Sequence, residues 1–309
     1  MIVAVWNIIL FSMVAHCEGI SALEDLSLDG GFRLSVTRSS MNPLEIGRVL
    51  VTDESLPSLW RLCQWGSNFS LEGAEPTKRA DGSIVLANEA KEIVLFPGGL
   101  SGEGVCLTVR GGVEYGDRLR QKNEQWAHLL VEQRIRDLSM KDLRALHFSL
   151  DFQVTRCVAD TDETMDPGLH TAQTSAYWNI HNNDPQSEDY RDMIWFGVPI
   201  YDVRYPIPPG HQAVDQGNED STGKFICTME GSRFYDNPVE IGQWYTVDCD
   251  LVPLLKEALD AAQSRGFLVK TCAEDLSFGG FNLGWEVPGS YTCSIHFKNL
   301  KLEKQSCNK

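Results

Sequence analysis

Basic residues are scarce in this sequence: 27 Lys and Arg stand against 43 Asp and Glu, a formal charge of −16 over 309 residues. Phosphate backbones and anionic lipid are gripped by basic faces, so neither nucleic acid nor a membrane surface is an expected ligand. Motifs for nucleotide and hydrolase chemistry are missing too. There is no P-loop, no GxGxxG after a strand, no HExxH and no GxSxG elbow, which removes the usual support for nucleotide-dependent, zincin and α/β-hydrolase readings. No CxxC or Cys/His cluster has zinc spacing, and no metal or other cofactor is expected. Helical periodicity is confined to one segment, and no linker, internal repeat or low-complexity tract divides the chain.

The first residues, MIVAVWNIILFSMVAHCEG, make an apolar run followed by small residues, the pattern of a secretory signal peptide over residues 1–19. The run lacks a Lys or Arg near Met1 and is shorter than the ~20 apolar residues of a membrane span. A lipoprotein anchor at Cys17 suits it less well, because His16 is bulkier than such sites favour. Removal of the segment leaves residues 20–309 as one extracellular domain. Eight of the nine cysteines follow it, namely Cys63, Cys106, Cys157, Cys227, Cys249, Cys272, Cys293 and Cys307. An even, dispersed set in an exported chain predicts disulfides of open connectivity. The sequon at Asn68 predicts a glycosylated surface loop. Asp160, Asp162, Glu163 and Asp166 offer hard oxygen ligands for calcium, but their spacing matches no EF-hand and a solvated loop explains them as well.

From Phe32 onward short apolar runs alternate with Gly, Pro, Asn and Asp. FRLSV, RVLVT, SIVLA, EIVLF and VCLTV read as strands, with turns at residues 80–82 and 98–104. Alternation assigns faces in the longer strands. Ala127, Leu129, Val131 and Ile135 point inward, leaving Trp126, His128, Leu130, Glu132 and Arg134 outward. Leu146, Phe148, Leu150, Phe152 and Val154 form a second core face, and Ser139 to Asp142 before it resembles a capping box. Near the C-terminus Phe281, Leu283, Trp285 and Val287 share one face, with Asn282, Gly284 and Glu286 on the other. Cys293, Ile295 and Phe297 then face inward after a turn at 288–290. The one helix is expected near residues 251–265, capped by Asp250. The class is all-β: an antiparallel sandwich of jelly-roll type with one packed helix.

The stretch Tyr177–Tyr205 concentrates aromatic, His, Asp and Arg side chains. Period-two geometry puts Tyr177, Asn179 and His181 on one face, although His181 also fits a solvated loop start. WFGVPIYDVRY sets Tyr201 and Tyr205 opposite Asp202 and Arg204 provided Pro199 does not shift the pleat; an Asp202–Arg204 surface pair is the alternative. Glu132 and Glu286 are candidates for a glycosidase pair whose separation the sequence does not give.

The strand pattern and the terminal SIHFKNLKL resemble the concanavalin A-like jelly-roll superfamily of lectins, glucanases and polysaccharide lyases, across most of the chain after residue 19. The resemblance implies a glycan held on a concave sheet face. The expected contacts are Trp126, His128, Glu132, Arg134, Tyr177, Asn179, His181, Tyr201 and Arg204. DRLRQ at 117–121, Asn179-Ile180-His181 and Ile200-Tyr201 also follow the order seen in alginate-lyase-type members, with Asn179 in place of Gln and no YFKAG strand. That similarity implies an alternative, β-elimination on a uronate polymer. His181 or Tyr201 would take a proton, and Arg204 or Arg120 would neutralise the carboxylate. A disulfide-stabilised adhesion or structural protein is the third reading.

Overall fold

The computed structural model describes residues 19–38, 44–216 and 221–306. The signal-peptide segment, Cys17 and Cys307 lie outside the described residues, apart from Gly19. The alternating runs fold as β1 (Ile20–Ser21), β2 (Phe32–Ser35), β3 (Glu45–Val49), β4 (Trp60–Cys63), β5 (Thr77–Lys78), β6 (Ile84–Ala87), β7 (Lys91–Leu95), β8 (Val105–Arg110) and β9 (Ala127–Arg134). They continue as β10 (Leu143–Ala159), β11 (Gln173–Asn182), β12 (Met193–Asp202), β13 (His211–Val214), β14 (Phe225–Thr228), β15 (Tyr245–Asp250), β16 (Leu276–Val287) and β17 (Tyr291–Ser306). Two α-helices interrupt them, the single-turn α1 (Gly111–Glu114) and α2 (Leu251–Ser264).

The strands form a two-sheet sandwich. One sheet runs β15-β10-β17-β8-β7-β6-β5 with β1 beside β17, and the other runs β13-β14-β12-β11-β16-β9-β4-β2-β3. Pairing is antiparallel except between β2 and β4 and between β12 and β14, which are parallel. The inner faces are the predicted ones: Leu146, Phe148, Leu150, Phe152 and Val154 meet Trp178, Phe281, Leu283 and Trp285, all fully or almost fully buried. Phe148 of the first sheet packs edge-on against Trp178 of the second at 4.9 Å between ring centroids. Trp178 in turn lies 5.2 Å from Phe281. Aromatic pairs of this geometry add to the area they bury, so this contact fixes how the sheets face one another.

Helix α2 begins where Asp250 accepts a hydrogen bond from the Val252 amide at 3.0 Å. Its buried stripe, Leu251, Leu254, Leu255, Ala258, Leu259 and Ala262, packs against β10, β12 and β14. The capping box expected at Ser139 does not form. Its hydroxyl reaches toward the Leu276 carbonyl instead, and residues 140–142 make only a 3-10 turn. Strand β10 runs past the predicted end at Val154 because a bulge at Thr155 breaks the alternation while pairing with β17 continues to Ala159.

The seven described cysteines are free thiols, so the predicted disulfide framework is not present in this structure. Three of them, Cys63, Cys227 and Cys293, are buried; Cys227 and Cys293 pack as small apolar side chains in the core, while the Cys63 thiol points to the Glu132 carboxylate at 3.9 Å. Asp160 accepts from the Gly112 amide of α1 at 2.9 Å, tying its loop to that helix, and Asp166 accepts from the Gly168 amide at 2.8 Å within its own loop.

Lys91 on β7 and Glu114 on α1 form an ion pair at 3.0 Å, both side chains 0% exposed. Glu114 also accepts from the Ser67 hydroxyl at 2.6 Å and the Asn68 amide at 2.8 Å, while Lys91 donates to Ser67 and to the Phe69 carbonyl. This network pins the segment that carries Asn68, whose side chain donates to the Glu114 carbonyl at 2.8 Å. Burial pulls the Lys91 pKa down and Glu114 opposes that shift. Breaking such a pair strands a charge in the interior. Lys91→Met should therefore cost about 3–5 kcal/mol of unfolding free energy in urea, and Lys91→Met with Glu114→Leu should recover most of it.

Candidate functional site

Register across the nine-stranded sheet lays its outward side chains in rows. The central row is Thr228, Gly197, Tyr177, Asn282, Glu132 and Arg61, each directly opposite the next on β14, β12, β11, β16, β9 and β4. Tyr177 does not stand upright in it. Its hydroxyl bonds Thr228, two strands away, at 2.8 Å, and a Cβ on the intervening Gly197 would sit 2.5 Å from the Tyr177 ring. The ring therefore lies along the sheet over Gly197, a position that any larger residue would fill. Burial and the Glu286 carboxylate hold the phenol protonated.

At the other end of the row Arg61 donates to Glu132 at 2.9 Å and lies 3.6 Å from Glu45, which Arg33 also binds at 2.6 Å. Burial raises the Glu132 pKa above the usual carboxylate value, against the pull of Arg61 and Arg33. The Nε atoms of Arg33 and Arg61 and the indole nitrogen of Trp65 are buried donors without a partner among the described residues.

One flanking row holds Asp202, Gln173, Glu286 and His128. Gln173 donates to Glu286 at 2.8 Å and accepts from Arg204 at 3.2 Å. Arg204 grips Asp202 through Nε at 2.9 Å and Nη2 at 2.5 Å, and its Nη1 reaches the Pro167 carbonyl. The His128 Nδ1 faces the Trp126 carbonyl at 2.7 Å, so it carries a proton, and Nε2 sits 4.0 Å from Glu286. Trp65 packs against the His128 ring at 6.3 Å.

The row on the far side of Tyr177 holds Trp195, Asn179, Gly280 and Arg134. His181, two residues beyond Asn179, donates through Nε2 to its side-chain oxygen at 3.0 Å. Arg134 is exposed.

The structure thus brings together Tyr177, Asn179, His181, His128, Glu132 and Arg134 on one face, with Trp126 entering β9 beside His128. Arg204 meets that face through Asp202 and Gln173, and its remaining donor reaches Pro167; the Asp202–Arg204 pair forms, with Asp202 buried rather than at the surface. Tyr201 is a correction. β12 carries a bulge after Pro199, so Ser175 opposes Pro199 while Thr174, an inward residue, opposes Tyr201. The bulge turns Tyr201 into the sandwich, where it meets Trp285 edge-on at 6.0 Å, remote from the Tyr177 face. Arg120 is likewise buried, donating to the carbonyls of Pro288, Glu124 and Leu169. Glu132 opposes Asn282, four residues from Glu286 on the neighbouring strand. At strand spacing their Cα atoms stand about 14 Å apart, and Glu132 is turned to Arg61 while Glu286 is held by Gln173.

Arg61, Gln173, Trp65 and Thr228 belong to the face but were not singled out from the sequence. The signal was there for Arg61, since WRLC alternates Trp60 and Leu62 inward. Gln173 lies four residues before the YWNIHN motif, on the same phase of the same strand.

No family model matches the chain, and no curated protein matches it. Among solved structures it is similar in shape to β-jelly-roll enzymes of glycoside hydrolase families 11 and 12. A family 12 xyloglucanase from Bacillus licheniformis aligns with TM-score 0.44 and 6% identity over 75% of this chain and 97% of that one. A family 11 xylanase from Neocallimastix patriciarum gives 0.38 and 9% over 77% and 98%. An endoglucanase from Rhodothermus marinus gives 0.36 and 10% over 76% and 97%. At these scores the likeness is one of general shape alone.

Burial, reinforced by Lys224 and opposed by Asp192, lowers the His181 pKa below 6.5. The folded state therefore favours the neutral ring. The resulting stability is present above the unfolded value of about 6.5 and is lost as pH falls through the folded pKa. Between pH 7.5 and 5, His181→Gln should lose less melting temperature than the parent protein, as measured by circular dichroism in parallel titrations.

Proposed function

We propose that the outward face of the nine-stranded sheet binds a glycan with no net charge, as part of an exported protein. The observation that carries this reading is Tyr177, laid along the sheet over Gly197 and held by Thr228. That posture offers a broad apolar surface without side-chain entropy left to lose. Around it, half-buried aromatics run diagonally across strands, from Trp65 and Trp126 beside β4 and β9 to Trp195 on β12. Amides and carboxyls of Asn282, Asn179, Gln173, Glu132 and Glu286 lie between them, suited to hydroxyl groups. The aliphatic N-terminal run supports export, and no described helix is long and apolar enough to cross a membrane.

Charge supports a neutral ligand. Arg61 is matched by Glu132 and Glu45, and Arg204 by Asp202. Turnover has less support than binding: Glu132 is paired with Arg61 and Glu286 is held by Gln173, and the lyase constellation has lost Tyr201 to the interior and Arg204 to Asp202.

On an array of neutral and uronate glycans, Tyr177→Ala should weaken retention about tenfold or more, equivalent to about 1.4 kcal/mol, and Gly197→Val should do the same by displacing the ring. Tyr177→Phe should fall between, and Tyr201→Phe should leave retention unchanged. Retention of Tyr177→Ala equal to that of the parent would overturn the proposal. An ultraviolet-absorbing product from a uronate polymer would instead favour elimination, and neither retention nor turnover would favour an adhesion or structural role.

A further inference from the structure

Six of the described cysteines lie on strands. Cys63 opposes Leu130, Cys106 opposes Val94 and His296, Cys227 opposes Phe196 and Gln212, and Cys249 opposes Phe148. Cys157 on β10 and Cys293 on β17 oppose each other. Directly opposed residues of an antiparallel pair share a face, with Cβ atoms about 4.5–5.5 Å apart. A disulfide spans Cα atoms about 4.4–6.8 Å apart, which is the range of such pairs. The shared face here is the interior. Cys293 is fully buried and its thiol points to the Val109 carbonyl at 3.7 Å, while Cys157 is half-buried beside Tyr201.

We propose that Cys157 and Cys293 form an oxidisable dithiol site that closes to a cross-strand disulfide, with a small-molecule disulfide such as oxidised glutathione as the oxidant. The Cys157 thiolate attacks one sulfur of the oxidant, breaking its S–S bond and releasing one thiolate. The resulting mixed disulfide is attacked by the Cys293 thiolate. This forms the Cys157–Cys293 bond and releases the second small thiolate. Two protein thiols are oxidised, one external disulfide is reduced to two thiols, and the two protons pass to the leaving thiolates. Burial pushes the Cys157 thiol up to about 11 and Cys293 well above its ordinary value. The exchange therefore belongs to folding, before the sheets close over both sulfurs. Once formed, the bond ties β10 to β17 beneath Tyr201, which packs on Trp285 in the strand that presents Glu286.

The full chain, reduced and unfolded in urea, is refolded in parallel in a glutathione redox buffer and in reduced glutathione alone. Free thiols are then alkylated and the protein is mapped without reduction. The expected result is a peptide pair joining Cys157 to Cys293 as the principal disulfide in the redox buffer, with a higher urea midpoint than the reduced refold. Cys157→Ser should show no midpoint difference between the two refolds. Alkylation of both cysteines after the redox refold, or linkage of either to another cysteine, overturns the proposal.

Discussion

Cross-strand register is the constraint on which the rest of this structure depends. Each outward side chain of β11 is opposed on one side by β12 and on the other by β16, so a strand read alone becomes a surface only through its partners. Tyr177 shows the consequence. Its orientation is set less by its own sequence neighbours than by glycine at the opposed position of β12 and threonine beyond it on β14. A side chain in place of Gly197 would force the ring upright and break the bond to Thr228. The flat aromatic surface at the centre of the face is thus a property of three strands together.

The same dependence on register works through irregularities. The bulge after Pro199 advances β12 by one residue against β11, which leaves Ile200 buried and sends Tyr201 to the face of Thr174. A second bulge, at Gly279, lets Asn179 and His181 close on each other above the backbone of β16; a Cβ on Gly279 would sit 2.2 Å from the Asn179 oxygen. Both bulges lie beside the candidate face, one excluding a tyrosine from it and the other admitting a histidine–amide pair. The buried Lys91–Glu114 pair acts at longer range. By tying the segment through Ser67, Asn68 and Phe69 to the opposite sheet, it steadies the chain just beyond Trp65, whose ring meets His128.

Much of the fold was legible because alternation is a local property. The core faces of β9, β10, β16 and β17 follow from single strands, and so does the shared face of Tyr177, Asn179 and His181. The cap of α2 at Asp250 is local too. What was not legible depends on pairing. Nothing within WFGVPIYDVRY says on which residue the proline bulge falls, so the phase of Tyr201 was open. Glu132 and Glu286 were each correctly turned outward, but the four-residue offset between them exists only in the β9–β16 ladder. The cysteine count suggested several disulfides, whereas register brings only one pair of strand cysteines face to face among the described residues. Arg61 stands on a strand of only four residues and Gln173 at the very start of β11, so alternation reaches each of them through few neighbours.

The electrostatics of the face bear on how it can take up a ligand. The chain carries a formal charge of −16, yet the centre of this surface is locally balanced, with Arg33 and Arg61 set among Glu45 and Glu132. An unmatched buried charge is costly to strip of water, and a matched pair has already lost part of its hydration to its partner. A hydroxyl-bearing chain lying over Tyr177 therefore displaces water from groups whose charge is already compensated, and it exchanges hydrogen bonds with water for hydrogen bonds with amides and carboxyls of similar strength. At the centre of the face, away from the exposed Arg134, a strongly charged ligand would have to break the Arg61–Glu132 or Arg204–Asp202 pair to be neutralised, leaving the former partner unmatched. The balance of the surface thus favours ligands recognised through stacking and hydrogen-bond geometry over those recognised through charge.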